Sequence, residues 1–255
     1  MDAALPSGSE ALFPVLLGQD PASLAALFAG DPARAAFWVQ TAAEQGVAEA
    51  QARLGQMRLD GLGASQDPAA AIGWFRRAAE QGDADGCNML GRCLENGWGA
   101  KPDPAEAVRW YRRAADAGHA WAQYNLGHML LGGLGVERDA AEALAWYRRS
   151  ADQGHARAMN LVGRCLEHGW GAAADSQSAR DWYRRSAEGG YFRGRFNWAS
   201  VLADDGRIAE AATWFEAALA DAPEPSRGAM LAALAAHRAP AVRARPHAAS
   251  SRSAP

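Results

Sequence analysis

The residues best suited to chemistry in this sequence come in duplicate. Asn88 and Arg92 return 72 residues later as Asn160 and Arg164, with the same spacing of four. On a helix that spacing puts both side chains on one face, one turn apart. An amide that donates and accepts, beside a guanidinium fork, is suited to hold a peptide backbone or a carboxylate. Trp121 and Tyr124 fall between the two pairs in the chain. Exposed aromatics flanked by arginine are typical of binding hot spots. The competing reading is that Asn and Arg are solvated surface residues copied by duplication.

Other residue patterns point away from catalysis. The sequence has no G-x-S-x-G elbow, no H-E-x-x-H pair and no phosphate-binding P-loop. No two histidines have the spacing of a metal site. His119 and His155 fall just past predicted helix ends, where local hydrogen bonding accounts for them. Arginine pairs at 76/77, 112/113, 148/149 and 184/185 read either as a basic stripe for nucleic acid or as a solvated face. Each first arginine has an acid four residues on, namely Glu80, Asp116, Asp152 and Glu188, which favours the solvated face. Trp74-Phe75, Trp110-Tyr111, Trp146-Tyr147 and Trp182-Tyr183 read as a stacking surface or as a core stripe between repeats. Their helical register favours the core.

These residues are positioned by a repeat. Met89-Leu-Gly-Arg-Cys-Leu-Glu-Asn-Gly-Trp-Gly-Ala100 recurs as Leu161-Val-Gly-Arg-Cys-Leu-Glu-His-Gly-Trp-Gly-Ala172, with weaker copies from Arg53 and Asn125, a period of 36. Periods of about 20–50 residues mark a solenoid whose units bury their apolar faces against neighbours. Asp31, Asp67, Asp103, Asp139 and Asp175 are predicted helix N-caps, the first three followed by a first-turn proline. This aromatic-bearing helix is predicted to end at Gly46, Gly82, Gly118, Gly154 and Gly190. A second helix is predicted from Ala48, Ala84, Ala120, Ala156 and Phe192 to a glycine pair such as Gly97/Gly99. Its mid-helix glycines Gly55, Gly91, Gly127 and Gly163 each cost about 1 kcal/mol against alanine, which implies a close crossing. The G-x-G pairs follow a helix instead of a strand, so turn geometry explains them. The last unit differs: its loop shrinks to Asp204-Asp-Gly206, and Trp214-Phe215 comes 32 residues after Trp182-Tyr183.

The expected organisation is therefore a lead-in over 1–30, a repeat array over 31–221, a closing helix within 222–237 and a disordered basic tail over 238–255. The closing helix is placed at Arg227 to His237, after the break at Pro223 and Pro225. Apolar residues make up 49% of the 255, enough for a packed core. A net charge of −3 argues against nucleic acid and anionic membrane as partners. No signal peptide or membrane span is read, so the cytoplasm is the expected compartment. Cys87, Cys93 and Cys165 are odd in number and badly placed to pair, so reduced thiols are expected. No cofactor or metal is expected.

The unit Ala107-x-x-Trp110-Tyr111-x-x-Ala114-Ala115-x-x-Gly118-His119-x-x-Ala122-Gln123-x-x-Leu126-Gly127, then Gly133-x-Gly135-Val136, resembles the Sel1-like repeat of the tetratricopeptide superfamily. The resemblance covers about residues 31–221. It implies an all-α, right-handed superhelical solenoid of about five antiparallel helix pairs that acts as an adaptor for protein partners. Transferred from tetratricopeptide geometry, the exposed groove positions include Asp85, Asn88, Arg92, Trp121, Tyr124, His128, Arg157, Asn160, Arg164 and Phe196. The expected function is capture of a peptide segment or protein in that groove, without catalysis. A scaffold working through the opposite face is one alternative. A hydrolase is another, since some cysteine-rich relatives were named for such activity, but this chain lacks their second cysteine in each repeat.

Overall fold

A computed structural model of the chain describes residues 32–63 and 65–237. The lead-in, the cap expected at Asp31 and the basic tail lie outside the described residues. Among these residues there are twelve helices and no strand. They are α1 Pro32–Glu44, α2 Ala48–Asp60, α3 Pro68–Glu80, α4 Ala84–Asn96, α5 Pro104–Asp116, α6 Ala120–Gly132, α7 Ala140–Asp152, α8 Ala156–His168, α9 Ser176–Glu188, α10 Phe192–Asp204, α11 Ile208–Asp221 and α12 Glu224–Ala235. The glycine-bearing helices start at the five residues the repeat predicts.

The predicted caps form. Asp67, Asp103, Asp139 and Asp175 each accept the backbone N–H three residues on, at 2.9, 2.8, 2.8 and 3.0 Å. Such a cap contributes about 1 kcal/mol. Gly97 ends α4 in the left-handed region, its N–H returning to the Cys93 carbonyl. Gly99 serves a different purpose: a Cβ there would stand 2.0 Å from the Pro68 carbonyl oxygen, and one at Gly171 would stand 2.1 Å from that of Ala140. The second glycine of these loops is where backbone meets the start of the preceding repeat's aromatic-bearing helix.

Two compact units are distinguished within the chain: one holds residues through Ala122 and Leu134–Val136, the other Gln123–Gly133 and residues from Glu137 on. In the first unit α2 packs closely on α3, and α4 on α5. A Cβ on Gly55 would lie 2.7 Å from the Phe75 ring, and one on Gly91 the same distance from Tyr111. In the second unit Gly127 and Gly163 meet Tyr147 and Tyr183 in the same way. The mid-helix glycines therefore make room for an aromatic ring of the following helix. Those rings are buried, and each contributes roughly 1.5–3 kcal/mol by leaving water.

The tryptophans behave differently from their neighbours, which corrects the expectation that both aromatics of a pair fill the core. Trp74, Trp110 and Trp182 are only half-buried, while Trp146 is buried. The guanidinium of the residue three on lies over each ring: Arg77 at 4.5 Å, Arg113 at 5.7 Å, Arg149 at 4.4 Å and Arg185 at 4.0 Å. A desolvated ring face attracts a cation, so these arginines are roofs over tryptophan. Arg76 does not take its expected partner Glu80. It donates to Glu106 at 2.9 Å, and the same carboxylate oxygen accepts the Trp110 indole N–H at 3.1 Å. That indole bond, with Arg76, holds the Glu106 carboxyl below the usual carboxylate range.

The C-terminal helix begins earlier than predicted, at Glu224, because Pro225 falls in its first turn, where no N–H is required. Its Met230 and Leu234 are buried with Phe215 and Leu219. The shortened last loop is as expected: α10 ends on Asp205, and the left-handed glycine, Gly206, follows one residue later.

Candidate binding site

The repeat holds Arg92 and Arg164 at one register position of α4 and α8. Both are half-buried, and neither has a carboxylate within ion-pair distance among the described residues. Each instead lies over a loop tryptophan, Arg92 over Trp98 at 5.1 Å and Arg164 over Trp170 at 5.4 Å. Arg92 also approaches the Met89 sulfur at 3.4 Å. These tryptophans were missed from sequence, although each follows its arginine by six residues in a Gly-Trp-Gly loop.

Asn88 and Asn160 correct the sequence reading. They were expected on the exposed face, but they are 6% and 3% exposed. Both side chains are buried and so are not presented to solvent. The Asn160 side-chain oxygen accepts from the Asn197 amide at 2.8 Å. A buried amide needs such a partner, since an unmet one costs about 1–3 kcal/mol.

In the first unit Asp85 is exposed, and its carboxylate lies 2.9 Å from His119 Nε2. His119 Nδ1 accepts the Ala122 N–H at 3.1 Å, so this histidine is a local bonding group as expected. Trp121 is 45% exposed. In the second unit His128 and Arg157 are exposed, and Arg157 lies over the Tyr191 ring at 5.6 Å. Tyr124 is half-buried, edge-on to His155 at 5.1 Å, so it packs more than it presents.

Asn160, Arg164 and Phe196 come together in the second unit. With Arg193, Asn197 and Met230 they line a cavity of about 210 Å³. Phe196 stands edge-on to Phe215 at 5.1 Å, which fixes its ring. Asn197 and Met230 were missed from sequence because nothing there says that α12 folds back onto α10.

The thiols take no part in this chemistry. Cys87, Cys93 and Cys165 are free and buried, and burial pushes the Cys93 and Cys165 thiols up to about 11. Among the described residues, no three His, Cys, Asp or Glu side chains gather as a metal would require.

Paired helices with a fixed glycine–aromatic contact and variable polar residues on the glycine-bearing helix define a helical-repeat protein. The sequence matches the Sel1 repeat family at residues 27–47, 48–83, 84–119, 122–155 and 156–191, and the chain belongs to that family. Members are generally non-catalytic helical scaffolds for protein interaction. Similar solved structures include a Sel1 repeat protein from Oxalobacter formigenes, 29% identical, TM-score 0.73, covering 82% of this chain and 84% of that one. A protective antigen of uropathogenic Escherichia coli is 32% identical, TM-score 0.67, over 81% of this chain, which spans only 44% of the antigen. An immunity protein from Pseudomonas aeruginosa shares the fold at 17% identity and TM-score 0.51, over 77% of this chain and 74% of that one. A comparison with curated proteins finds no match.

Proposed function

We propose that this chain is a non-catalytic protein-binding module that takes a partner's peptide segment, bearing at least one carboxylate, on the exposed face of its glycine-bearing helices. One observation carries the reading. Arg92 and Arg164 keep their guanidiniums over tryptophan rings with no acid among the described residues to neutralise them. A charge-assisted bond from such a group contributes roughly 1.5–3 kcal/mol. The net charge of −3 disfavours nucleic acid as the ligand. Three free, buried cysteines support a reducing compartment such as the cytoplasm. Among the described residues, no helix is long and apolar enough to cross a membrane.

The test is an array of synthetic acidic peptides probed with the wild-type chain and with the double variant Arg92→Ala, Arg164→Ala. Binding should weaken tenfold or more while circular dichroism is unchanged, because neither side chain belongs to the buried glycine–aromatic contact. Raised salt should weaken binding as well. Unchanged affinity in the double variant would move the search to the opposite face of the repeats.

A further inference from the structure

The cavity in the second unit joins two features that a single kind of ligand would use. Arg164 and Arg193 supply guanidiniums at its wall, and neither has a carboxylate partner among the described residues. The neighbouring arginines are satisfied: Arg180 pairs with Asp205, Arg184 with Asp181, Arg195 with Asp221, Arg207 with Glu210 and Arg227 with Glu224. Arg193 is exposed; its hydrogen bond to the Ser226 hydroxyl is 3.5 Å long, a length at which little is gained, and its guanidinium lies 5.7 Å over the Phe192 ring. The opposite character comes from Phe196 and buried Met230, which give the cavity an apolar surface.

We infer that this cavity receives the C-terminal residue of a partner chain, an apolar side chain against Phe196 and Met230 and its free α-carboxylate on Arg164 and Arg193. An aspartate or glutamate side chain brings the carboxylate but only one or two methylenes, which leaves the apolar wall unfilled. An internal apolar residue fills the wall but leaves both arginines without an anion. Among the residues of a peptide chain, only the C-terminal one carries both groups on one Cα. The buried Asn160–Asn197 bond ties α8 to α10 and so sets the spacing of the helices that carry the two arginines. Helix α12, which supplies Met230 and Ser226, is on this account a wall of the site as well as a cover for the core.

The inference deepens the peptide-binding reading, and two probes separate their failures. N-acetyl-leucine and N-acetyl-leucinamide address the cavity alone, followed on the full chain through the arginine Nε–H and methionine methyl resonances. Saturable shifts at Arg164, Arg193 and Met230 are expected with the acid. The amide should bind at least tenfold more weakly, as should the acid to Arg193→Ala. Arg193 is exposed, so its replacement leaves the fold intact, and the acid–amide comparison needs no variant at all. Equal binding of acid and amide, shifts that never saturate, or an unaffected Arg193→Ala would each overturn the assignment. If the acid saturates these resonances but no acidic peptide on the array binds, the cavity stands and the wider peptide-binding reading falls. If peptides bind and amidating their C-termini changes nothing, the reverse holds.

Discussion

Helices α4 and α8 carry the same Asn-x-x-x-Arg-Cys-Leu-Glu run, one in each unit, and their surroundings have the same skeleton. Gly91 and Gly163 meet a tyrosine ring at the same 2.7 Å. Tyr111 donates to Glu95 at 2.6 Å, and Tyr183 donates to Glu167 at 2.7 Å. Each arginine lies over the tryptophan six residues on. What differs is the second position of the glycine-bearing helices. Near α4 it is Asp85 on that helix and Trp121 on the next; near α8 it is Arg157 and Arg193. An acid already engaged by His119 and an exposed indole have become two cations. The skeleton is thus held by glycine and aromatic residues that cannot change cheaply, while the charge of the surface is set at positions that can.

The largest expected effect tests the shared skeleton. Gly99→Ala and Gly171→Ala each force a Cβ onto a backbone oxygen and an alanine into a left-handed conformation. Each should cost about 3 kcal/mol or more, as the sum of strain and overpacking. Thermal unfolding should show comparable losses for both. A large loss in one region with none in the other would break the comparison.

A smaller effect separates these two regions from the repeat between them. Tyr147 occupies the same position as Tyr111 and Tyr183, but Leu131 stands where they have glutamate, and the buried Tyr147 hydroxyl has no hydrogen-bond partner among the described residues. Tyr111→Phe and Tyr183→Phe should each lose about 1 kcal/mol in denaturant unfolding. Tyr147→Phe should be neutral or stabilising, since it removes an unmet polar group.

The smallest effect is a pH dependence confined to one region. Glu106 bonds to Trp110 and Arg76, whereas Ser178 occupies its position two repeats on. Because folding lowers the Glu106 pKa, its contribution is full above about pH 4.3 and is lost as pH falls through the folded value. The group is partly solvated, so the amount stays below about 1 kcal/mol. Glu106→Gln should flatten the melting temperature between about pH 5 and 3 relative to wild type, while Ser178→Ala should not. An unchanged profile in Glu106→Gln would remove the carboxylate from the account.

The skeleton was legible because its physics is local. Aspartate caps, positive-φ glycines and the 36-residue period mark helix ends within a residue or two of where they fall. Even some inter-helix bonds leave a sequence trace. Gln81 donates to Gln51 and Gln153 to Gln123, and the alternate repeats replace both members, with Cys87 and Ala117 or with Met159 and Gly189. The site was read less well. Transferred positions put Asn88 and Asn160 on the surface, but both side chains are buried. The arginine–tryptophan contacts and the wall supplied by Met230 depend on loops and on a helix outside the regular period, where no periodic signal exists.

The most direct measurement of the central claim, that the exposed face of the glycine-bearing helices binds acidic peptide, is peptide affinity across four proteins: wild type, Arg92→Ala, Arg164→Ala and the double variant. The account predicts a loss of tenfold or more in the double variant, with Arg164→Ala weakening peptides that end in a free apolar residue more than Arg92→Ala does. Four proteins of equal affinity, all with the same helical content, would contradict it.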